Sequence, residues 1–69
     1  MNNTNETQKN ELFATVISLY KRYNKETNKE LETMYWCEYK GFYKAITMMG
    51  LETELHIYSK NNDVELMIP

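Results

Sequence analysis

The apolar positions divide the chain into a helical part and a C-terminal part with a shorter period. From Leu31 to Met49 the apolar side chains recur at helical spacing, and at 100° per residue they fall on one arc. Gly50 follows where a glycine commonly ends a helix. We therefore predict an amphipathic helix from about Lys29 to Met49, with a core arc of Leu31, Met34, Tyr35, Tyr39, Phe42, Ala45, Ile46 and Met49.

A second amphipathic helix is predicted before it, from about Glu6 to Tyr23, with polar residues opposite its apolar stripe. The intervening segment, Asn24–Asn28, offers Thr27 or Asn28 as a cap for the following helix. Because this break is short, we expect the two helices to form an antiparallel hairpin. Residues 1–5 are polar, and we expect them to be disordered.

After Gly50 the apolar period changes from 3.6 to 2, which is typical of strands. Two alternating runs, at about Thr53–Ser59 and Val64–Ile68, flank a segment of turn-forming residues. The predicted fold is therefore α+β: an antiparallel two-helix hairpin followed by a C-terminal β-hairpin packed on the helices, in one domain over residues 6–69. A third helix over Glu52–Lys60 is the alternative.

The length of 69 residues allows a single small domain with marginal stability. One cysteine cannot form an internal disulfide, and no set of cysteine and histidine residues has the spacing of a zinc site. A partner chain is the remaining way to stabilise so small a domain, and the exposed edges of a β-hairpin favour pairing. We therefore expect a homodimer.

Charge and motifs exclude several classes of function. A net charge of −2 argues against sequence-independent nucleic-acid binding. The chain has no phosphate-binding glycine loop and no nucleophile elbow, so we expect no enzyme activity, no cofactor and no metal. With a polar N-terminus and no apolar run of about 20 residues, we expect a cytoplasmic protein without membrane association. The composition, rich in Asn, Lys and Tyr, fits a phage or other mobile element of a low-GC bacterium.

Four residues of the second helix are the candidates for binding another protein. Trp36 and Tyr43 lie beside the core arc with Lys40 between them, and aromatic residues anchor many protein interfaces. Coverage by the β-hairpin would instead make the rings part of the core. The predicted partner-binding residues are Trp36, Tyr39, Lys40 and Tyr43.

Other residues leave alternatives open. Glu38 falls inside the apolar arc, where it is a carboxylate at a wet edge, half of a buried ion pair, or the polar anchor of a small-molecule site in a dimer cleft. Small residues at 37, 41 and 45 form a ridge that packs on the first helix or on another copy. His56 is expected to face away from the core, without a metal or catalytic role.

The sequence therefore predicts a small cytoplasmic protein-protein interaction domain that acts as an adaptor, inhibitor or regulator, and binds another protein, a second copy, or both. The alternative function is a nucleic-acid-associated regulatory module, because the end of the first helix and the break after it carry a basic cluster. This cluster comprises Lys21, Arg22, Lys25 and Lys29.

Overall fold

Three helices account for most of the chain in the computed structural model, which describes residues 3–69, with side chains from Glu6 onward. They are α1 (Asn3–Lys25), α2 (Lys29–Met48) and α3 (Glu52–Asn61). The last residues, 64–69, follow α3 without regular secondary structure and are called the tail below. The predicted disordered segment 1–5 includes residues 1–2, which lie outside the described residues.

The predicted α+β fold is wrong, because residues 3–69 contain three helices and no strand. The helix α3 replaces the predicted first strand, and the tail replaces the second. Leu55 and Ser59, one helical turn apart, are both buried, whereas Ile57, which suggested alternation, is 55% exposed. With no strand in the described part of the chain, the expectation of a dimer through sheet edges loses its basis.

The two predicted helices are present and form an antiparallel hairpin. They are joined by residues 26–28 alone. Ring centroids lie 5.0 Å apart for Tyr23 and Trp36, and 5.2 Å apart for Tyr20 and Tyr39. The second contact lies three residues closer to the N-terminus of α1 and three residues closer to the C-terminus of α2 than the first. Antiparallel packing requires this order.

Local side-chain and backbone chemistry sets both ends of α2. The Asn28 side chain accepts hydrogen bonds from the backbone N–H groups of Glu30 and Leu31, so it caps the first turn. At the other end Gly50 has a φ of 77°, and the N–H groups of Gly50 and Leu51 donate to the carbonyls of Thr47 and Ile46. This is the Schellman arrangement, which favours glycine at the left-handed position. The predicted Gly50 terminus is confirmed, and of the two predicted caps, Thr27 and Asn28, the structure has Asn28.

The same arrangement ends α3 and turns the tail back across the helices. Asp63 has a φ of 60°, and the N–H groups of Asp63 and Val64 donate to the carbonyls of Lys60 and Ser59. The tail then buries Leu66 in the core, and the Tyr39 hydroxyl donates a 2.6 Å hydrogen bond to the Met67 carbonyl. The tail is therefore part of the packed structure.

All three helices and the tail contribute to one core, and α2 turns a different face inward than predicted. Tyr39 and Ile46 from the predicted arc are buried, but Leu31, Met34 and Phe42 are exposed. The side of the helix that carries Trp36 and Tyr43 faces the core instead. The buried apolar residues are Phe13, Val16, Ile17, Leu19, Tyr39, Tyr43, Ile46, Leu55 and Leu66.

The ridge of small residues on α2 does not pack on α1, contrary to the first of the two interpretations above. Cys37, Gly41 and Ala45 are all exposed, and a Cβ added to Gly41 would meet no atom within 4 Å. Glycine inside a helix costs about 1 kcal/mol relative to alanine. Nothing within the described protein requires a glycine at this position.

Alanine substitutions at the two glycines should therefore have opposite effects. Gly41→Ala should raise the free energy of unfolding by about 0.5–1 kcal/mol, because it relieves the helix-propensity cost without a clash. Gly50→Ala should lower it by about 1 kcal/mol, because Gly50 holds a left-handed φ. Urea unfolding followed by circular dichroism measures both, and destabilisation by Gly41→Ala would show that the residue packs on something.

Candidate functional site

The outward-facing side of α2 holds most of the large apolar side chains that the described protein leaves exposed. The residues on this side of α2 fall within roughly 140° of the helix circumference, at 100° per residue, and every one of them is exposed. We call this surface the outer face. It comprises Glu30, Leu31, Met34, Cys37, Glu38, Gly41, Phe42, Ala45, Met48 and Met49.

The outer face carries five of the eight large apolar side chains that the described protein leaves exposed. These five, Leu31, Met34, Phe42, Met48 and Met49, are between 38% and 78% exposed. The other three lie on α3 and the tail, at Ile57, Met67 and Ile68. Single apolar side chains on a surface are ordinary, whereas a set of them on one helix makes the outer face the candidate contact surface.

The opposite side of α2 is fixed in place by a chain of aromatic contacts. The Tyr39 ring is 0% exposed, and its centroid lies 5.2 Å from Tyr20, 5.5 Å from Trp36 and 5.9 Å from Tyr43. Such tilted rings at these distances attract one another in addition to burying large apolar areas. The cluster prevents α2 from rotating, so the outer face stays exposed.

A polar network closes the end of this cluster, between α2 and α3. The Tyr43 hydroxyl donates a 2.5 Å hydrogen bond to Glu52 Oε2 and lies 2.8 Å from His56 Nε2. Because the hydroxyl has one proton and gives it to Glu52, the contact with His56 requires that Nε2 carry a proton and donate. His56 is thus partly buried and hydrogen-bonded, rather than turned away from the core as predicted.

Burial raises the pKa of the Tyr39 hydroxyl and that of the Tyr43 hydroxyl well above the ordinary value for tyrosine. For Tyr43 the Glu52 carboxylate adds to the effect of burial, first by accepting the hydrogen bond and then by its charge. For Tyr39 the nearby Tyr43 and Tyr20 add to it. Both hydroxyls therefore keep their protons, and in this network they act as donors that hold the tail and α3 on α2.

The structure separates the four residues predicted to bind a partner. Tyr39 and Tyr43 are buried, Trp36 is partly buried against Tyr23 and Tyr39, and Lys40 is exposed. Lys40 lies outside the outer face and lines an open cavity of about 450 Å³ with Lys44, Glu52 and the end of the tail. The charges around this cavity are mixed, so it does not select a class of ligand.

The remaining candidate residues all lie on the surface. Glu38 is exposed in the middle of the outer face, so it is not half of a buried ion pair. The basic cluster is exposed at the end of α1 and the start of α2, with Glu26 and Glu30 close in sequence. It includes Lys21, Arg22, Lys25 and Lys29.

Within residues 3–69 no three His, Cys, Asp or Glu side chains are grouped so that they could hold a metal ion. No helix in that range has the length and apolar character needed to cross a bilayer.

The chain matches no protein-family model, no curated protein and no solved structure. The fold and the exposed surfaces are therefore the observations from which a function can be argued. Sequence reasoning missed the outer face because it assigned Leu31, Met34, Phe42 and Met49 to the core. The available signal was the width of the apolar arc, which together with Trp36 and Tyr43 exceeds what one core-facing stripe needs.

The raised tyrosine pKa values predict a loss of stability in base. A tyrosine whose pKa is higher in the folded than in the unfolded state stabilises the fold fully below about pH 10, and this contribution is lost as the pH rises further. The free energy of unfolding should fall by up to about 1.4 kcal/mol per pH unit for each of Tyr39 and Tyr43.

Urea unfolding at a series of pH values up to about 11 measures this slope, and near-ultraviolet absorbance of tyrosinate follows ionisation. The variant Tyr43→Phe should lose about half of the slope as well as its two hydrogen bonds. If all six tyrosines ionised while the protein stayed folded, the role assigned to the two hydroxyls would be wrong.

Proposed function

We propose that this protein is a small protein-protein interaction domain, an adaptor, inhibitor or regulator, and that it binds its partner through the outer face. The observation that carries the proposal is the exposure of Leu31, Met34, Phe42, Met48 and Met49 on one side of a single helix. The apolar patches that monomeric proteins leave exposed are often contact sites. The mechanism is steric, because the helix occupies a surface of the partner.

The size of the outer face supports this proposal. The α2 helix has 20 residues, and at about 1.5 Å per residue it is roughly 30 Å long. A standard protein interface removes about 800 Å² of surface from each partner. That is about one sixth of the 4934 Å² that the protein exposes, so an interface of this size would use most of the length of α2.

Energetics favours the same surface over the rings predicted to bind. Covering the exposed part of each large apolar side chain contributes on the order of 1 kcal/mol. The Tyr39 and Tyr43 rings are buried already, so a partner gains little by contacting them unless the core opens. The binding surface we propose therefore replaces the predicted rings with the aliphatic and methionine side chains of α2.

The proposal includes a cytoplasmic location, which the single cysteine supports. Cys37 is exposed on the outer face and forms no disulfide within the described protein. A free thiol on a contact surface suits a reducing compartment, since oxidation there would crosslink copies of the chain.

The substitution Met34→Glu should abolish partner capture, because it introduces a charge into the outer face at a side chain that is 46% exposed and outside the core cluster. The matched control is Thr33→Glu, which adds the same charge to the neighbouring exposed position on another side of α2. Tagged proteins are incubated with host lysate under reducing conditions, with and without nuclease, and bound proteins are identified by mass spectrometry.

We expect one protein to be captured in stoichiometric amount by the native chain and by Thr33→Glu, but not by Met34→Glu. Nuclease treatment should leave this capture unchanged. Circular dichroism confirms that both variants fold. Equal capture by Met34→Glu would contradict a role for the outer face. Capture that depends on intact nucleic acid, and that falls steeply with salt, would instead favour the basic cluster.

A further inference from the structure

We infer that the outer face takes an amphipathic helix of its partner, and that a lysine or arginine within the apolar stripe of that helix pairs with Glu38. This inference rests on the protein-binding function proposed above and adds the chemistry of the partner. Three properties of the outer face support it: the spacing of its residues, the distribution of their sizes, and the sign of their charges.

The spacing along the outer face is that of a helix-helix seam. Positions 31, 34, 38, 41, 45 and 48 are separated alternately by three and four residues, which is the pattern that aligns one helix along another. A partner helix can therefore follow α2 over most of its length. The residues of this seam are Leu31, Met34, Glu38, Gly41, Ala45 and Met48.

The sizes of the side chains allow a close approach in the middle of the seam. Gly41 and Ala45 present almost no side chain, and the space beside Gly41 is open. The distance between packed helix axes, usually 8–10 Å, depends on the side chains at the contact. A second helix can thus come close at Gly41 while Leu31, Met34 and Met48 enclose the two ends of the contact.

The charge of the outer face selects a basic partner. Its charged residues are Glu30 and Glu38, whereas Lys29, Lys40 and Lys44 lie on other sides of α2. Both ion pairs within the described protein involve Lys9, so neither uses Glu38. A carboxylate covered by a partner must be paired or protonated. A basic side chain opposite Glu38 meets this requirement and fixes the register of the two helices.

The same charge disfavours a second copy as the occupant. Parallel in-register pairing of the seam places the two Glu38 carboxylates opposite each other, and antiparallel in-register pairing places each Glu38 opposite Gly41 of the other copy, within one helical turn of the second Glu38. Like charges that face each other in an interface repel and so disfavour the pairing. Glu30 adds to the repulsion, because it repeats the negative charge on the same side.

The test uses three synthetic helical peptides of about 22 residues, long enough to cover the seam. Each peptide carries a stripe of leucine and alanine at the seam spacing. The three peptides differ only in the stripe residue designed to face Glu38, which is lysine, glutamate or leucine. Fluorescence anisotropy of the labelled peptide, held at nanomolar concentration, gives its Kd for the full chain under reducing conditions.

We expect the lysine peptide to bind the native chain at least about tenfold more tightly than the glutamate peptide, with the leucine peptide between them. The variant Glu38→Lys should reverse this order. Glu11→Lys, an identical charge change at an exposed position on α1, should preserve it. Equal binding of the lysine and glutamate peptides, or an order that survives Glu38→Lys, would overturn the inference.

A steric variant tests the close approach separately. Gly41→Leu should weaken the lysine peptide at least about tenfold, because leucine fills the space that the partner helix needs. The control Thr33→Leu places the same side chain outside the outer face, and circular dichroism verifies both folds. Unchanged binding to Gly41→Leu would show that the peptide does not lie along the seam, which also overturns the inference.

Two further outcomes separate this inference from the proposed function. If no peptide binds while Met34→Glu still abolishes partner capture, the helix inference fails and the proposed function survives. If sedimentation equilibrium shows a dimer that Met34→Glu dissociates and the lysine peptide cannot disrupt, the occupant is a second copy and the inference is wrong. A monomeric native chain supports it.

Discussion

The packing of Tyr39 determines the arrangement of the rest of the molecule. Its ring is completely buried among the rings of Tyr20, Trp36 and Tyr43, and its hydroxyl holds the Met67 carbonyl of the tail. A tyrosine in the core needs a partner for its hydroxyl, and here the tail provides that partner. One side chain therefore fixes the rotation of α2 and the path of the last residues together.

Once Tyr39 faces inward, the geometry of a helix decides which residues face outward. The positions on the opposite side of α2 are Leu, Met, Phe and small residues, which would themselves have made a plausible core. Aromatic rings bury more area per side chain, and those of α1 are placed to meet them. The apolar outer face is thus the consequence of a helix that has more apolar residues than a single core-facing stripe requires.

Features that depend on neighbouring residues could be predicted from the sequence, whereas features that depend on distant ones could not. The Asn28 cap and the Gly50 terminus follow from local hydrogen-bonding and backbone preferences. The orientation of α2 depends on Tyr20, Tyr23 and the tail, which are remote in sequence. The α3 helix was only the alternative prediction, because exposed Ile57 imitates strand alternation, while the burial of Ser59 and the bond from His56 to Tyr43 exist only in the folded protein.

Gly41 is the position where local preference and the observed fold disagree, and the disagreement points to the outer face. A domain of this size has little stability to spare, yet it has a helix-weakening residue where a side chain would meet only open space in the described protein. Glu38, one turn earlier, interrupts a seam that would otherwise be continuously apolar and prone to self-association. Glu38 disfavours the packing of a second copy on the outer face, and both residues become useful when a second helix with a basic residue lies along α2. A close approach at Gly41 brings the backbone of the partner helix near α2. The charge of Glu38 then determines which partner residue can lie opposite it.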